Sequence, residues 1–294
     1  MTNSPPRLLR RLLEFRKKTP QQRFQSYAYR WIRWFPGIPA PVRHPSGAWW
    51  LMDTDFIGES LLKGGYETAE SALATNFLRP GMTVLDIGAH RGFHTLLFSK
   101  KVGGHGHVLS FEPSPADRKR LELHLKINFR RNVKVIGCAL GEEAGSADLY
   151  AVPANSVLNS LRPPDTAFET SMTPVAVRRL DDVLSEMRIE LIDFIKLDVE
   201  GGELGVLKGA QDLLSHVPRP VVLCEVQEQR TRPWGYPGRL IIEYLSQKEF
   251  VWFELNDKGN LLAIPQEQSE FNGNFVAVPK ESVANVANLY APAQ

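Results

Sequence analysis

An acidic residue and two glycines follow a short apolar segment in the first half of the chain. Residues 84–87 read VLDI, which is typical of a buried strand, and Gly88 and Gly92 come soon after it. Residues without a Cβ permit a tight turn and a close approach of the backbone to a ligand. A buried strand that leads through such a turn into a helix is typical of nucleotide-cofactor sites. The pattern therefore predicts a cofactor at the end of this strand.

The acid, Asp86, bears on which cofactor binds. Dinucleotide sites usually read G-x-G-x-x-G, which brings a pyrophosphate to a helix N-terminus, whereas this chain reads D-x-G-x-x-x-G. A carboxylate at that place would repel a pyrophosphate. It could hold the ammonium group and, through water, the sulfonium end of S-adenosylmethionine (SAM). The motif favours SAM and leaves NAD as the alternative.

A second acid, Glu112, ends the next apolar segment, 24 positions beyond Gly88. A carboxylate there can accept both hydroxyl protons of a ribose, as it does in NAD sites. Glu112 thus supports an adenosine cofactor without choosing between SAM and NAD. After the third apolar segment, Ala139 and Leu140 supply small and apolar groups that could flank an adenine.

Charged residues also end two later apolar segments. Period-two alternation puts Lys196, Asp198 and Glu200 on one side of a strand, and Glu225 lies in the following strand. Buried charges are costly unless they are paired or bind a ligand, so we interpret this cluster as functional. A structural ion pair between Lys196 and Asp198 is the alternative. We predict that Asp198, Glu200 or Glu225 accepts a proton from the substrate.

Two other chemistries remain open at this point. His90 and His94 lie close to the cofactor turn and could serve as bases, although His94 fits a helix-packing role equally well. Three converging acids could also bind Mg²⁺, which would orient and acidify a hydroxyl. We do not expect a metal.

The elements that position these residues alternate as in a parallel α/β sheet. We predict strands near 83–87, 107–111, 133–138, 192–197 and 221–226, and helices near 68–78, 92–101, 115–128, 181–187, 202–216 and 238–248. Right-handed crossovers then bring the C-terminal ends of the strands to one edge, where open sheets bind ligands. Residues 251–255 and 275–278 predict an antiparallel hairpin that closes the sheet.

The N-terminal arm differs in charge from the rest of the chain. The formal net charge is +2, yet residues 1–43 contain ten Lys or Arg and one acid, which leaves 25 basic and 32 acidic residues beyond them. Thr19 and Pro20 begin an amphipathic helix that ends at Pro36. It could pack on the protein body, act as a lid, form a dimer contact or lie on a membrane, and a solvated terminus is the simplest alternative. We expect no nucleic-acid partner, peripheral membrane contact only through residues 1–35, and leave a homo-oligomer open.

Cys138 and Cys224 lie in apolar segments with no partner at metal-ligand spacing, which predicts buried free thiols. Unpaired cysteines favour a reducing compartment. We find no apolar core of a signal peptide and no run of 18 apolar residues, so we expect neither export nor a membrane span. The predicted location is the cytoplasm, with the inner face of the membrane as a place of peripheral contact.

The order of these motifs resembles the FkbM family of SAM-dependent methyltransferases over about residues 60–280. The resemblance rests on Gly65-Tyr66-Glu67, the motif at 86–92, Phe111-Glu112-Pro113, Asn128, Ala139-Leu140-Gly141, Ser160-Leu161, Leu180-Asp181-Asp182, the motif at 195–203, Leu207-Lys208-Gly209-Ala210 and Glu225. The family commonly has Asn in place of His90, Ala in place of Gly202, and a histidine in place of Gln227. These departures bear on the acceptor and the base.

The resemblance implies a class I methyltransferase (Rossmann-like) α/β fold, with a mostly parallel seven-stranded sheet and helices on both faces, joined to a basic helical extension. We expect the extension at 1–60, the methyltransferase domain at 61–280 and a tail at 281–294. The implied cofactor residues are Glu67, Asp86, Gly88, Ala89, His90, Gly92, Glu112, Pro113, Ala139, Leu140 and Asp198. The catalytic candidates are Asp198, Glu200 and Glu225.

The implied reaction is methyl transfer from SAM to a hydroxyl of a sugar, a glycan or glycolipid, or a polyketide-type metabolite. Many N-methyltransferases read N-P-P-Y after the fourth strand, and this chain does not; the similar string RPPD at 162–165 is predicted to be a loop outside that strand end. An NAD-dependent oxidoreductase and a non-catalytic cofactor-binding module docked by its basic arm are the alternatives.

Overall fold

The computed structural model describes residues 19–264, 268 and 270–290. Contacts divide the chain into two units, Met1–Arg43 with Trp49–Tyr66, and His44–Ala48 with Glu67–Gln294. The second unit contains all the acids that are predicted to do chemistry. The domain limits expected from the sequence stay predictions.

The first unit contains helix α1 (Pro20–Trp34), an antiparallel pair of strands, β1 (Ala40–Arg43) and β2 (Trp49–Met52), and helix α2 (Phe56–Lys63). Thr19 and Gln22 cap α1 reciprocally, as the sequence predicts. Gln21 and Gln25 donate side-chain hydrogen bonds to the carbonyl of Leu62 at 2.8 and 2.7 Å, so one side of α1 is fixed to the end of α2.

The second unit contains two sheets with helices between their strands. Its strands are β3 (Thr83–Ile87), β4 (His107–Phe111), β5 (Val133–Ile136), β6 (Ala139–Leu140), β7 (Gly145–Ala151), β8 (Ser171–Arg178), β9 (Phe194–Leu197), β10 (Val221–Gln227), β11 (Phe250–Leu255), β12 (Leu261–Ala263) and β13 (Asn272–Pro279). Its α-helices are α3 (Thr68–Phe77), α4 (Phe93–Val102), α5 (Pro115–Ile127), α6 (Leu180–Met187), α7 (Glu203–Lys208), α8 (Glu228–Thr231) and α9 (Arg239–Ser246). Short 3₁₀ helices form at Ser156–Leu158, Arg232–Trp234 and Lys280–Leu289.

The main sheet has the strand order β12-β11-β13-β10-β9-β3-β4-β5, in which β10, β9, β3, β4 and β5 are parallel and the other pairs are antiparallel. Alternate residues of β3 point into different cores, because successive side chains of a strand face opposite ways. Leu85 belongs to a core that includes Val206 and Ile241, whereas Val84 belongs to another that includes Leu73 and Phe98. Helices thus cover both faces of a mostly parallel sheet, which confirms the predicted fold class.

Several details differ from the sequence prediction. The short edge strand β12 makes the main sheet eight-stranded instead of seven-stranded, and β6, β7 and β8 form a separate three-stranded sheet. The helix predicted at 202–216 ends at Lys208. A Cβ on Gly209 would lie 2.0 Å from the carbonyl oxygen of Gly141, so the chain turns there against another backbone segment. Most of the segment predicted as a C-terminal tail forms a 3₁₀ helix, and the side chain of Val286 in that helix is buried.

Both cysteines are buried and form no disulfide, as predicted. Among the described residues, no helix combines the length and the apolar character needed to cross a bilayer.

Candidate active site

The parallel strands bring the predicted acids to one edge of the main sheet. Asp86 in β3 lies beside Ser110 of β4 and beside Lys196 of β9, and Glu112 directly follows β4. Because parallel strands of an open sheet end at the same edge, residues far apart in sequence meet there.

The two glycines of the cofactor turn both adopt left-handed backbone conformations, with φ of +83° at Gly88 and +87° at Gly92. A Cβ on Gly88 would lie 1.7 Å from the carbonyl oxygen of Asp198, and one on Gly92 would lie 2.2 Å from Leu121 Cδ1. The left-handed backbone therefore favours glycine at both positions, and the backbone of Asp198 leaves no room for a Cβ at Gly88, quite apart from the ligand approach that the sequence suggests.

Asp86 is a buried carboxylate with one unused oxygen. It is 1% exposed, its Oδ2 accepts a hydrogen bond from the Thr95 hydroxyl, and its Oδ1 is buried without a hydrogen-bond partner. Burial raises its pKa, while the positive charge of Lys196 opposes that shift. Because an unpaired buried carboxylate oxygen is costly, the arrangement suits a cationic or hydrogen-donating ligand.

Glu112 is held by two backbone amides. The N–H of His90 donates to Oε2 and the N–H of Ser114 donates to Oε1, each at 2.7 Å. Burial, followed by the nearby charge of Asp117, raises the pKa of Glu112 to about 8. Each carboxylate oxygen has a second lone pair, so Glu112 can also accept hydroxyl protons in a fixed orientation.

Several polar side chains that the sequence analysis did not identify lie around the side chain of His90. His90 Nε2 lies 2.7 Å from the Ser156 hydroxyl and 3.4 Å from Asp117 Oδ1. The Asp117 carboxylate also accepts hydrogen bonds from Arg91 Nε at 3.1 Å and from Asn159 Nδ2 at 2.9 Å. The loop between β7 and β8 is therefore tied to the cofactor turn. In the sequence, Asp117 has only the signal of a helix-capping motif with Ser114.

Lys196 links the cofactor edge to the predicted catalytic acids. Its Nζ lies 2.7 Å from Asp198 Oδ2 and 3.8 Å from Glu67 Oε2. Glu67, at φ +43°, also contacts His94 Nε2. Burial disfavours the charged amine, but the carboxylates of Asp198, Glu67 and Asp86 outweigh it and raise the pKa of Lys196. The structural ion pair considered as an alternative is thus present, and it lies inside a larger charged cluster.

The acids Asp198, Glu200 and Glu225, which we call the acid triad, converge so that one oxygen of each lies within 4.8 Å of the others. Glu200 pairs with Arg230 Nε at 2.8 Å, and Glu225 accepts a hydrogen bond from Gln227 Nε2 at 2.7 Å. Burial and the neighbouring charge of Asp198 raise the pKa of Glu200 to about 8 and that of Glu225 well above its usual range. Such a cluster can hold a proton at neutral pH or bind a cation.

The turn after β9 is fixed by contacts that the sequence does not reveal. Glu200 adopts φ +57°, and its carbonyl accepts hydrogen bonds from the Ser160 hydroxyl at 3.1 Å and from Trp234 Nε1 at 3.3 Å. Glu203 Oε1 accepts the backbone N–H of Gly201 at 3.2 Å. An acid in the first turn of a helix ordinarily interacts with the helix dipole, but Glu203 also closes the turn that carries Glu200.

A cleft opens beside Glu200, and we call it the Trp234 cleft. Arg162 and Asp165 line one part, and Arg230 and Trp234 line another. The string at 162–165 is a loop, as predicted, but it reaches the strand end from which the sequence analysis separates it. No sequence signal brings this loop to Glu200, since they lie on different elements.

The remaining cofactor candidates occupy other positions. Ala89 and Gly92 belong to the glycine turn, and Pro113 lies between Glu112 and the Ser114 cap. Ala139 and Leu140 form β6, which pairs with β8 in the three-stranded sheet. Their role beside an adenine stays a prediction.

Comparison with known proteins matches this architecture to one family. The model of the methyltransferase FkbM domain matches residues 86–262, which is more than half of the chain. Methyltransferase sdnD of Sordaria araneosa is 32% identical over 178 residues, which cover 51% of this chain and 68% of that protein. Methyltransferase 1 of Beauveria bassiana is 30% identical over 146 residues, which cover 44% of this chain and 58% of that protein.

The 31-O-demethyl-FK506 methyltransferase FkbM of Streptomyces tacrolimicus is 28% identical over 165 residues, which cover 46% of this chain and 62% of that protein. The chain thus spans about three fifths to two thirds of the length of these relatives. It belongs to the FkbM methyltransferase family.

Proposed function

We propose that this protein is a SAM-dependent O-methyltransferase that acts on a hydroxyl of a sugar, a glycan or glycolipid, or a polyketide-type metabolite. The observation that carries the proposal is the placement of Asp86 and Glu112 on neighbouring strand ends, with the acid triad beside them. The family membership supports it, as does the similarity to the 31-O-demethyl-FK506 methyltransferase of Streptomyces tacrolimicus.

The residues at the sheet edge fit the chemical groups of SAM. Asp86 offers its unpaired buried oxygen to the donor's ammonium group and, through water, to the sulfonium end. Glu112, oriented by two amides, accepts the ribose hydroxyls. When bound, SAM supplies a methyl group on a positively charged sulfur, which a nucleophile displaces in line. Holding acceptor and donor in that geometry can contribute roughly 7 to 11 kcal/mol.

A hydroxyl must lose its proton to become a good nucleophile, and we assign Glu225 as the base. Asp198 is paired with Lys196, and Glu200 is paired with Arg230. Within the part of the chain that the structure describes, the Glu225 carboxylate accepts a hydrogen bond from the neutral amide of Gln227 and forms no ion pair. The least neutralised carboxylate of the acid triad holds a proton most strongly. Once ionised, it is the strongest base.

The assignment predicts a selective loss of turnover in the Glu225→Gln variant. A positioned base contributes about 10² to 10⁴ in rate, so methyl transfer should fall by that factor while the affinity for S-adenosylhomocysteine stays unchanged. Transfer is measured by mass spectrometry of a glycan and metabolite panel. Glu143→Gln, at an exposed position, is the control. Near-normal turnover in both Glu225→Gln and Asp198→Asn would show that these acids are not the base.

The acid triad could instead hold Mg²⁺, which would bind and acidify the hydroxyl. Our account does not require the ion, because Glu225 removes the proton directly. Methyl transfer should therefore survive EDTA and show no increase when Mg²⁺ is restored. Loss of turnover in EDTA, with recovery on addition of Mg²⁺, would favour the metal route.

We also propose that α1 makes peripheral contact with an anionic membrane surface. The helix carries Arg23, Arg30 and Arg33 and no acid, and it exposes 63% of Tyr29 and 75% of Trp34. Aromatic rings and basic side chains on one helix suit the interface between lipid headgroups and acyl chains.

Liposome flotation tests this contact. The intact chain should float with vesicles of anionic phosphatidylserine and remain unbound to vesicles of phosphatidylcholine alone. Trp34→Ser should reduce flotation, whereas Phe168→Ser, which alters an exposed ring in the other unit, should not. Equal flotation of both variants with the intact chain would exclude α1 as the contact.

A further inference from the structure

Trp234 packs closely against Gly202, a glycine in the turn after β9. A Cβ on Gly202 would lie 3.1 Å from two ring carbons of Trp234, Cη2 and Cζ2. The indole N–H of the same ring donates to the carbonyl of Glu200 at 3.3 Å. Trp234 is therefore fixed by packing on Gly202 and by a hydrogen bond to the residue that joins the cleft to the acid triad.

The ring of Trp234 holds a cation at the Trp234 cleft. The guanidinium carbon of Arg162 lies 4.9 Å from the ring centroid, a cation–π distance. Among the described residues, the guanidinium makes no hydrogen bond and no ion pair, so its N–H groups are available. Arginine presents these donors in a rigid fork that matches a carboxylate or a phosphate.

Of the two arginines that line the cleft, Arg162 has no acidic partner among the described residues. The lining of the cleft contains two cations, Arg162 and Arg230, and two acids, Asp165 and Glu200. Arg230 Nε lies 2.8 Å from Glu200 Oε2, so these two charges balance each other. Arg162 is thus the positive charge available to a ligand, and Glu200 places the cleft next to the proposed base, since its carboxylate lies within 4.8 Å of that of Glu225.

We infer that the Trp234 cleft binds the acceptor and that the acceptor carries a carboxylate or a phosphate close to the methylated hydroxyl. Arg162, held over Trp234, binds that anionic group through its paired N–H donors. The inference rests on the proposed methyl transfer, for which it names the substrate class. Gly202 contributes to this arrangement because it leaves room for the ring to pack closely on the turn.

Equilibrium binding of three related sugars tests the inference. Glucuronate, glucose 6-phosphate and uncharged glucose are titrated into the full chain saturated with S-adenosylhomocysteine. At least one of the two anionic sugars should bind ten times more tightly than glucose, and the tighter of the two identifies the anionic group. Equal binding of all three sugars, or no measurable binding of either anion, would overturn the inference.

Two variants test whether Arg162 and Gly202 produce the preference for an anionic sugar. Arg162→Gln should abolish the preference for the anion, whereas Arg131→Gln, at an exposed arginine outside the cleft, should keep it. Gly202→Ala should weaken anion binding at least fivefold by displacing Trp234, and Gly104→Ala, which has open space around its Cβ, is its control. Unchanged anion binding in Arg162→Gln would refute the assignment.

The readouts separate this inference from the proposed function. Binding of S-adenosylhomocysteine reports on the cofactor edge, and none of these variants should change it. If the nucleoside does not bind the wild type, the proposed function fails. If it binds but the anionic sugars show no advantage, only the assignment of the cleft fails.

Discussion

The replacement of Glu112 by Gln predicts a stability change whose sign depends on pH. Glu112 is enclosed, and burial together with Asp117 raises its pKa to about 8 from an ordinary value of 4.5. The substitution removes the titrating group and keeps nearly the same shape. The two backbone N–H groups that donate to the carboxylate, from His90 and Ser114, remain in place.

The size of the stability change follows from the pKa of Glu112 in the unfolded and in the folded chain. Between pH 4.5 and 8 the unfolded chain has released this proton while the folded chain keeps it, so the free energy of unfolding falls as pH rises. A difference of about 3.5 in pKa corresponds to about 5 kcal/mol, fully lost above the folded pKa. The variant escapes that loss. The NH₂ of the new glutamine must face one of the two backbone N–H groups and leaves it without an acceptor, which costs about 1 to 3 kcal/mol at every pH.

Urea unfolding of the ligand-free protein, followed by fluorescence across this pH range, measures both effects. The Glu112→Gln variant should be less stable than wild type at acidic pH and equally or more stable at alkaline pH. Glu122→Gln, which changes an exposed acid on α5, should show no such crossing. A stability difference between Glu112→Gln and wild type that is constant with pH would refute the reasoning, since it would mean that Glu112 titrates normally in the folded state.

Three further predictions concern the same edge of the sheet. Gly88→Ala should lower the melting temperature by several degrees in calorimetry, because a non-glycine residue at φ +83° costs about 1 to 2 kcal/mol and its Cβ would collide with the carbonyl of Asp198. The control Gly104→Ala should leave the melting temperature nearly unchanged. Equal melting temperatures of the two variants would contradict this reasoning. Lys196→Met should lower the free energy of unfolding in urea by about 3 kcal/mol, because it leaves buried acids without their cation, and a loss below about 1 kcal/mol would show that the ion pair is unimportant. The kcat/KM for methyl transfer should rise with pH above the ordinary titration range of a glutamate, because Glu225 must lose a proton that burial and Asp198 help it retain. Asp198→Asn should move this rise to lower pH, and a flat profile would argue against Glu225 as the base.

The sequence identifies residues whose role depends on local pattern. The acids at the ends of β3, β4, β9 and β10 could be predicted because alternation and apolar segments mark where parallel strands end. The departure at Gly202, interpreted as bearing on the acceptor, lies against Trp234 of the cleft. The glycine turn was also predictable, although its steric cause was not. That cause is the backbone of another strand end, more than a hundred residues away in sequence.

The residues that the sequence does not identify act through contacts between distant elements. Asp117 has an ordinary helix-capping pattern, and only the fold brings it to Arg91 and Asn159. Arg162 lies in a loop of no marked periodicity, and its role depends on a tryptophan 72 positions later in the chain. The three-stranded sheet is missed because β6 has two residues and β7 lacks a strongly apolar pattern.

The central claim is that acids on neighbouring strand ends hold a SAM-type donor, and calorimetric titration of the protein with S-adenosylhomocysteine and with NAD tests it most directly. We expect the nucleoside to bind with one-to-one stoichiometry and NAD not to bind. Asp86→Asn should weaken binding of the nucleoside at least tenfold, while the control Glu122→Gln should leave it unchanged. Binding of NAD in preference to S-adenosylhomocysteine, or full nucleoside affinity in Asp86→Asn, would contradict the claim.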